Sequence, residues 1–432
     1  MKLSIFVVLL YISFISCDNY AVLVAGSNTY INYRHQADVF HHYQILIDRG
    51  FMPENIITFA YDDIAYNPKN PIEGKIYNSP KGKDVYAGVI IDYIENDVTP
   101  ENFIAAITGD EMSVNVNDPR STAKVLTSTE NDNVYIYFSD HGLDNSISFP
   151  NKFLYADELN DALLTMHEKK MYKELVFYME ACHSGSMFQD LLPKNISIYV
   201  VTAANPRESS FAEYCGKKAI VNGVNLGTCL GDEFSSRFME DIESRSINNL
   251  KEYTIQEQFD YLDEVVLGSH VQQYGDLNVA QKSIFDFITS KTSKFLKTIS
   301  KTIDFIFPSI YYEEEDEDET KINNENYRLE MLRIKAEQSN ELGAEDEYYE
   351  EIAQEARVTL IFNIFNKWFI LPKRNYEEKV NYDCYRKVVK YYGKYCGLFI
   401  DRDFKFMTHI VNFCTKGISH KKAKTAFKQI CE

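Results

Sequence analysis

The stretch VFYMEACHSGSM, residues 176–187, passes from an apolar run into Glu-Ala-Cys-His and then a Ser-Gly-Ser turn. A short apolar run that ends in polar residues is typical of a buried strand. Cys182 follows this run directly, two residues after Glu180. If the strand belongs to a parallel sheet, neighbouring strands should end in functional residues at the same edge.

Other short apolar runs recur along the first half of the chain, with amphipathic segments between them. The runs are residues 20–25, 55–61, 134–138, 175–178 and 196–201, and clear amphipathic segments are 37–49 and 156–169. Strands that are apolar at most positions are buried on both faces. The pattern therefore predicts an α/β fold with a mostly parallel central sheet.

Polar residues follow three of these runs, in the segments Ser27–His35, Ser139–Gly142 and Glu180–Cys182. A cysteine nucleophile needs a nearby base and donors for the oxyanion. His141 can supply the base, and the backbone N–H groups of Gly142 and Cys182 can supply the donors. A lone cysteine after a strand is more often structural, and only its pairing with His141 favours catalysis.

Two features near these segments have alternative interpretations. His183 is a rival base, although neighbouring residues in a turn usually point apart. Asn32–His35 reads as a polar loop before a helix that begins near Ala37, and the loop either caps that helix or lines a pocket.

The first 17 residues carry Lys2, an apolar stretch from Leu3 to Ile15 and small residues at Ser16 and Cys17. This pattern predicts a secretory signal peptide. A membrane anchor, the alternative, needs about 18 to 20 apolar residues. The run at 358–371 is interrupted by polar residues and predicts a buried helix, so no membrane span is expected.

Cysteines indicate one free thiol in the exported chain. The sequence has eight, and seven remain if Cys17 leaves with the signal peptide. Four in the last fifty residues suit two disulfides, and Cys215 and Cys229 bracket a loop that suits a third. By elimination Cys182 is free, and an unpaired exported thiol is a candidate for reactivity.

The net charge of −19 makes nucleic acid an improbable partner. Charge is unevenly placed, because residues 373–432 hold 14 Lys or Arg and 6 Asp or Glu, a net of +8, which leaves −27 for the rest. A basic end on an acidic body predicts electrostatic docking that weakens as carboxylates protonate.

Composition divides the chain into four parts. After residue 289 comes a Lys/Ser/Thr-rich stretch and then seven consecutive acids, Glu313–Glu319, which predict an exposed linker open to proteolysis. Helical periodicity follows at 327–338 and 348–368. We predict a signal peptide (1–17), a catalytic domain (18–288), a linker (289–326) and an all-α, disulfide-linked domain (327–432).

Several motifs together resemble the legumain family of asparaginyl endopeptidases over essentially the whole chain. They are NYRHQAD (32–38), YDDIAYNPKNPIEGKIYN (61–78), YIYFSDHG (135–142), EACHSGSM (180–187), TAANPRESS (202–210), TCLGDEFS (228–235) and SHVQQYG (269–275). The spacing of Cys384, Cys396, Cys414 and Cys431 is similar to that of the family's helical prodomain. The resemblance implies a caspase-like three-layer sandwich.

The resemblance implies cleavage after Asn, and more slowly after Asp at acid pH, with Cys182 as nucleophile, His141 as acid/base and Asn32 as support for the histidine. The pocket for the substrate side chain would be formed by Arg34, His35, Glu180, Ser209 and Asp232. A carboxamide both donates and accepts hydrogen bonds, and a pocket of mixed charge can satisfy both needs. Protonation of Glu180 and Asp232 at low pH would admit Asp.

The resemblance further implies that the prodomain covers the active site until the linker is cut, with Asn323, Asn324 and Asn326 as candidate sites. It implies the disulfides Cys384–Cys414 and Cys396–Cys431, and a plant-type Cys215–Cys229 pair. His183 departs from the family pattern, because relatives usually have Glu there. Asp140 matches a position that forms a succinimide in some members, and Asn195 begins a glycosylation sequon.

Expected partners are peptides with Asn before the cleaved bond, the chain's own prodomain and cystatin-type inhibitors, with no cofactor and no metal. The expected location is the secretory pathway and a lysosome, vacuole or digestive compartment, or the exterior. Peptide ligation is an alternative, since nothing in the sequence decides whether water or an amine resolves the acyl-enzyme. A transamidase of the membrane-anchored type and a non-catalytic binding relative are less favoured, because the pocket and dyad residues are all present.

Overall fold

The computed structural model describes residues 18–290, 321–338, 343–397 and 399–432. The predicted signal peptide and the acidic run Glu313–Glu319 lie outside the described residues. The main sheet has seven strands: β1 (Asn19–Ala25), β2 (Ile56–Ala60), β3 (Tyr93–Ile94), β4 (Asn133–Ser139), β8 (Glu174–Glu180), β9 (Ile198–Thr202) and β14 (Gln272–Gly275). Smaller strands are β5 (Gly142–Leu143), β6 (Ser146–Phe149), β7 (Lys152–Tyr155), β10 (Phe211–Glu213), β11 (Ile220–Val221), β12 (Val224–Asn225), β13 (Gly231–Asp232) and β15 (Ile322–Asn323).

The main sheet has the order β14-β9-β8-β4-β1-β2-β3. Its strands pair in parallel except β14, which runs antiparallel to β9. All seven residues of β4 are buried, as expected for a strand covered on both faces. The mostly parallel α/β sheet predicted from the sequence is confirmed.

Helices cover both faces of the sheet and make it the middle of three layers. They are α1 (Tyr33–Asp48), α2 (Pro100–Ile107), α3 (Ala156–Glu168), α4 (Glu233–Ser244), α5 (Ile247–Glu252), α6 (Ile255–Val265) and α7 (Phe285–Ile288). Side chains of β4 alternate between two cores: Tyr135 and Tyr137 face the core that includes α1 and α4, and Ile136 faces the one with α2 and α3.

Helix α1 begins earlier than the sequence suggests. We expected a loop at 32–35 and a helix from about Ala37, but the helix begins at Tyr33, after a short 3₁₀ turn at Tyr30–Asn32. Arg34 and His35 therefore lie in the first helical turn and are buried against the sheet. Their polarity, which indicated a loop, reflects a buried polar site.

The C-terminal part is helical, with α8 (Tyr327–Gln338), α9 (Ala344–Phe369), α10 (Tyr382–Tyr395), α11 (Met407–Thr415) and α12 (His420–Cys431). Disulfides link Cys384 to Cys414, Cys396 to Cys431 and Cys215 to Cys229, the pairs predicted above, and Cys182 is free and buried. None of the helices within the described ranges is long and apolar enough to cross a bilayer.

Candidate active site

His141 and Cys182 lie just beyond two neighbouring strands of the main sheet. Strands β4 and β8 pair in parallel with Ser139 opposite Glu180, so His141 and Cys182 each stand two residues past equivalent positions. The backbone N–H of Asp140 donates to the carbonyl of Glu180 at 3.2 Å, which continues the pairing beyond the strands. The structure thus brings the two residues to the same edge of the sheet, as the sequence predicts.

The ring of His141 is oriented by an amide. Its Nε2 lies 2.9 Å from Oδ1 of Asn32, and the Asn32 amide nitrogen donates to the carbonyl of Asn28 at 3.1 Å. An amide oxygen only accepts hydrogen bonds, so Nε2 carries the proton and Nδ1 keeps its lone pair. Burial lowers the pKa of His141 to about 4, so the neutral ring is available as a base.

Cys182 is buried, with its Sγ 4.0 Å from the hydroxyl of Ser210. Burial, and then the nearby Glu325 carboxylate, raise the pKa of this thiol to about 12. The covered cysteine is therefore a neutral thiol, which is a poor nucleophile. Gly142 lies so close that a Cβ there would stand 1.7 Å from the Cys182 carbonyl oxygen, so only glycine fits.

Charged side chains form a buried cluster near Cys182, and this cluster is the candidate substrate pocket. Arg34 Nε donates to Asp232 Oδ1 at 2.9 Å, and both side chains are fully buried. Glu180 accepts from the backbone and the hydroxyl of Ser235, each at 3.2 Å. Burial and the neighbouring Asp232 raise the pKa of Glu180 well above its ordinary value, which favours its protonated form.

Asp38 is a second buried acid in this cluster, and the sequence analysis did not single it out. Its Oδ1 accepts from the Asn78 amide at 2.7 Å, and burial together with Asp232 raises the pKa of Asp38 well above its ordinary value. Asp38 ends the NYRHQAD motif, on the same face of α1 as Arg34, one helical turn later. That i, i+4 spacing is the signal that could have identified it.

Two of the predicted pocket residues make other contacts. His35 reaches the pocket through its Nε2, which lies 3.7 Å from Asp232 Oδ2, while its Nδ1 lies 2.7 Å from the Ser27 hydroxyl and its ring packs edge-on against His141 at 5.0 Å. Ser209 hydrogen-bonds with Glu325 and lowers the pKa of that carboxyl. Ser210, next in the chain, is the serine that reaches the pocket.

The pocket is occupied by the chain's own Asn324. Strand β15 pairs antiparallel with β10, and the Asn324 N–H then donates to the Ser210 carbonyl at 3.0 Å. The Asn324 side-chain amide donates to Asp232 Oδ1 at 2.9 Å and to the Ser210 hydroxyl at 3.0 Å. Of the candidate processing residues, Asn324 lies in the pocket, whereas Asn323 accepts from the N–H of Glu325 and Asn326 from Lys405.

Comparison with known proteins matches two parts of this chain to family models. Residues 19–292 match the peptidase C13 family, and residues 359–431 match the legumain prodomain. The chain belongs to the legumain family. It is a cysteine endopeptidase of the legumain type, with the family's prodomain at its C-terminal end.

Two individual relatives match nearly the whole chain, and a third matches part of it. A vacuolar-processing enzyme of Vicia sativa is 34% identical over 433 residues, covering 95% of this chain and 85% of its own length. The rice (Oryza sativa subsp. japonica) vacuolar-processing enzyme beta-isozyme 1 is 36% identical over 431 residues, covering 95% and 84%. The legumain of Canavalia ensiformis is 46% identical over 274 residues, which is 62% of this chain and 56% of that protein.

Among solved structures, caspase-1 from Spodoptera frugiperda is similar over 60% of this chain and 87% of its own, at 10% identity and a TM-score of 0.34.

The legumain prodomain lies over His141, which together with Cys182 forms the candidate catalytic dyad. Asp401 Oδ2 is 3.3 Å from the Asn32 amide nitrogen and 3.7 Å from His141 Nε2. The ring of Phe404 packs against the His141 ring with centroids 5.6 Å apart. His141 is therefore enclosed by residues of the prodomain and by residues of the catalytic part.

The succinimide at Asp140, the glycosylation of Asn195 and the lack of a metal all stay predictions. Asp140 accepts from the His141 N–H at 2.6 Å, which places that nitrogen beside the carboxyl that a succinimide would use. Asn195 is exposed, as a glycosylation site must be. Donor atoms of His35, Asp140 and His141 lie within 4.8 Å of one another, but these side chains already belong to the dyad and its support.

Proposed function

We propose that Cys182 and His141 cleave peptide bonds after asparagine, and that residues 321–326, here called the inhibitory segment, block the site as a bound substrate would. The observation that carries the proposal is the Asn324 side chain, held by Asp232 and Ser210 beside Cys182. An asparagine carboxamide is the group that this pocket would have to recognise in a substrate.

The reaction follows from the orientation of the two residues. Cys182 Sγ attacks the carbonyl carbon of the asparagine while its proton passes to Nδ1 of His141, and the Gly142 and Cys182 N–H groups receive the oxyanion. The imidazolium returns the proton to the leaving amine as the C–N bond breaks, which leaves a thioester. His141 then takes a proton from water as the water oxygen attacks the thioester carbon. The C–S bond breaks, the proton returns to the Cys182 sulfur, and the product leaves with a carboxyl group on its asparagine.

Recognition would use both ends of the carboxamide. Its N–H groups donate to Asp232 and Ser210, as those of Asn324 do. The Nη atoms of Arg34 and the Oδ1 of Asn324 all lack a hydrogen-bond partner within the described residues, so the Arg34 donors are available to the carboxamide oxygen of a substrate, a hydrogen bond that Asn324 itself does not make. Since the pKa values of Glu180 and Asp38 are raised, both gain protons early on acidification, and we propose that the pocket then tolerates an aspartate.

We infer the substrates and the location of this chain from its family. Peptide substrates and the chain's own prodomain are the partners that family membership implies. Because relatives that match nearly the whole chain are named vacuolar-processing enzymes, we propose the secretory pathway and a vacuole-like or lysosome-like compartment as the location of this chain.

The precursor should be held below pH 4.5, where protonation of Glu325 begins to weaken its pair with His183, and then assayed with an Ala-Ala-Asn reporter peptide. We expect activity in the native chain, none in Cys182→Ala, and a cut between Asn324 and Glu325 by mass spectrometry. Asn324→Gln should abolish that cut, whereas the matched control Asn326→Gln should keep it. Reporter cleavage by the Cys182→Ala protein, or no cleavage after asparagine, would refute the proposal.

A further inference from the structure

His183, next to the nucleophile, binds the residue that follows Asn324. Its Nε2 lies 2.7 Å from Oε1 of Glu325, and both side chains are mostly buried. Asn324 and Glu325 flank the peptide bond that faces the nucleophile if Asn324 occupies the substrate pocket as proposed. His183 therefore contacts the side chain just past the scissile bond.

The imidazole of His183 is held in a cationic form. Nδ1 lies 3.1 Å from the Pro206 carbonyl, which only accepts, so Nδ1 donates there and Nε2 donates to the Glu325 carboxylate. Burial disfavours the charged ring, but the hydrogen bond with Glu325 and the charges of Glu325 and Asp144 leave the pKa of His183 raised.

The backbone fixes the position of this ring. His183 has a left-handed conformation with φ of 51°, its N–H donates to the Glu208 carbonyl at 2.7 Å, and its carbonyl accepts from Ser186 at 2.8 Å. Residues other than glycine rarely adopt this backbone conformation, so the surrounding contacts must hold the turn in it. Neither these backbone contacts nor the Nδ1 hydrogen bond with Pro206 involves the inhibitory segment, so we expect the ring to stay in place after Glu325 leaves.

We propose that His183 is a specificity-determining residue that favours an acidic side chain immediately after the cleaved bond. This inference rests on the proposed function, because it takes Asn324 as the residue before that bond. A carboxylate there gains a charge-assisted hydrogen bond, whereas a lysine brings a like charge towards the imidazolium.

The test uses the activated enzyme and three peptides, Ala-Ala-Asn-X-Ala with X as Glu, Gln or Lys, at about pH 5.5, between the ordinary pKa values of Glu and His. We expect kcat/KM to be about tenfold higher for Glu than for Gln, and lowest for Lys. The ratio of kcat/KM for two substrates, measured in one preparation, does not depend on the fraction of active enzyme. Partial misfolding of a variant therefore does not change this ratio.

Two variants separate a charge effect from a structural one. In His183→Gln the Glu/Gln ratio should fall to about one, and in His183→Glu the order should invert so that Lys becomes the best substrate. The surface variant His167→Gln is the matched control and should keep the native ratio.

The outcomes distinguish this inference from the proposed function. Cleavage after Asn with a native Glu/Gln ratio near one, or an unchanged ratio in His183→Gln, overturns the role of His183 and leaves the endopeptidase proposal standing. No cleavage after Asn in any of the peptides overturns the proposed function itself, and this inference with it.

Discussion

Two parts of the chain cover the dyad, and different kinds of contact hold them there. The inhibitory segment binds by strand pairing, by Asn324 in the pocket and by the Glu325–His183 ion pair. The helical domain (residues 344–432) instead shares an apolar core with Leu143 and Tyr155 and buries the ion pair Arg374–Asp144. One contact imitates a substrate, and the other resembles an ordinary domain interface.

Acid should act on these two parts differently. Burial opposes the charge on Glu325, but His183, Ser209 and Lys405 outweigh it and lower the pKa of Glu325 below its ordinary 4.5. Its stabilisation of the closed form is present above that value and is lost as the pH falls through the lowered pKa. The raised pKa of His183 makes its contribution complete below 6.5 and lost as the pH rises through the raised value. The pair is strongest between these limits.

The buried acids of the helical interface respond in the opposite sense. Burial raises the pKa of Asp144, although Arg374, His183 and Thr408 face it, and burial raises the pKa of Asp403 to about 6. If opening exposes these groups, they bind protons more weakly in the open form, so acid favours the closed one. Of the two contacts, only that of the inhibitory segment is therefore weakened by acid, as net charge had predicted for the docking as a whole.

Asp232→Asn should have the largest effect, because it removes the charge that pairs with Arg34 and accepts from the asparagine amide. We expect kcat/KM for an Asn reporter to fall about 100-fold or more. If the segment binds as a substrate does, its affinity as a synthetic peptide inhibitor should fall in parallel. The exposed Asp260→Asn is the control. If Asp232→Asn loses reporter cleavage while the peptide still inhibits it, the inhibitory segment does not bind as a substrate does.

Arg374→Ala leaves Asp144 buried and unpaired, since the two side chains are 6% and 1% exposed. In a Cys182→Ala background, which prevents self-cleavage, we expect the closed precursor to lose about 3 kcal/mol. Thermal unfolding at neutral pH measures the loss. The exposed Lys428→Ala should leave the unfolding temperature unchanged, and an equally small change in Arg374→Ala would show that apolar packing alone holds the domain.

Glu325→Gln keeps the shape of the side chain but removes the charge that binds His183. At about pH 5.5, where the native pair is intact, we expect self-activation to be about tenfold faster than in the native precursor. Below the lowered pKa of Glu325 the two proteins should activate at similar rates. Gel analysis of precursor loss across pH measures this, with Glu337→Gln as control. Identical profiles for native and variant would exclude the pair as the acid-sensitive contact.

Arg386→Ala should have the smallest effect. Its ion pair with Asp157 is partly exposed, at 37% and 28%, and water and salt screen such a pair. We expect a loss below about 1 kcal/mol, which added salt removes. A larger loss in thermal unfolding would mean that the rim of the interface contributes as much as the buried Arg374 pair.

The sequence predicted the parts of the fold that local pattern controls. Apolar runs identified β1, β2, β4, β8 and β9, because a strand buried on both faces needs apolar residues throughout. The start of α1 was placed four residues late, because Arg34 and His35 look like loop residues until their buried partners are known. Asp38 and Ser210 were not identified for the same reason, since their partners are distant in the chain.

The sequence by itself therefore determined the α/β class and the position of Cys182 and His141 at one edge of the sheet, because these depend on spacing within single strands and on the rule that parallel strands end together. The free thiol of Cys182 followed from the count of cysteines. Only the tertiary structure decided which of three asparagines enters the pocket and that Glu325 meets His183. Asn324 lies 92 residues from Asp232, and Glu325 lies 142 residues from His183. The register of β15 on β10 sets both contacts, and that register is a property of the assembled fold.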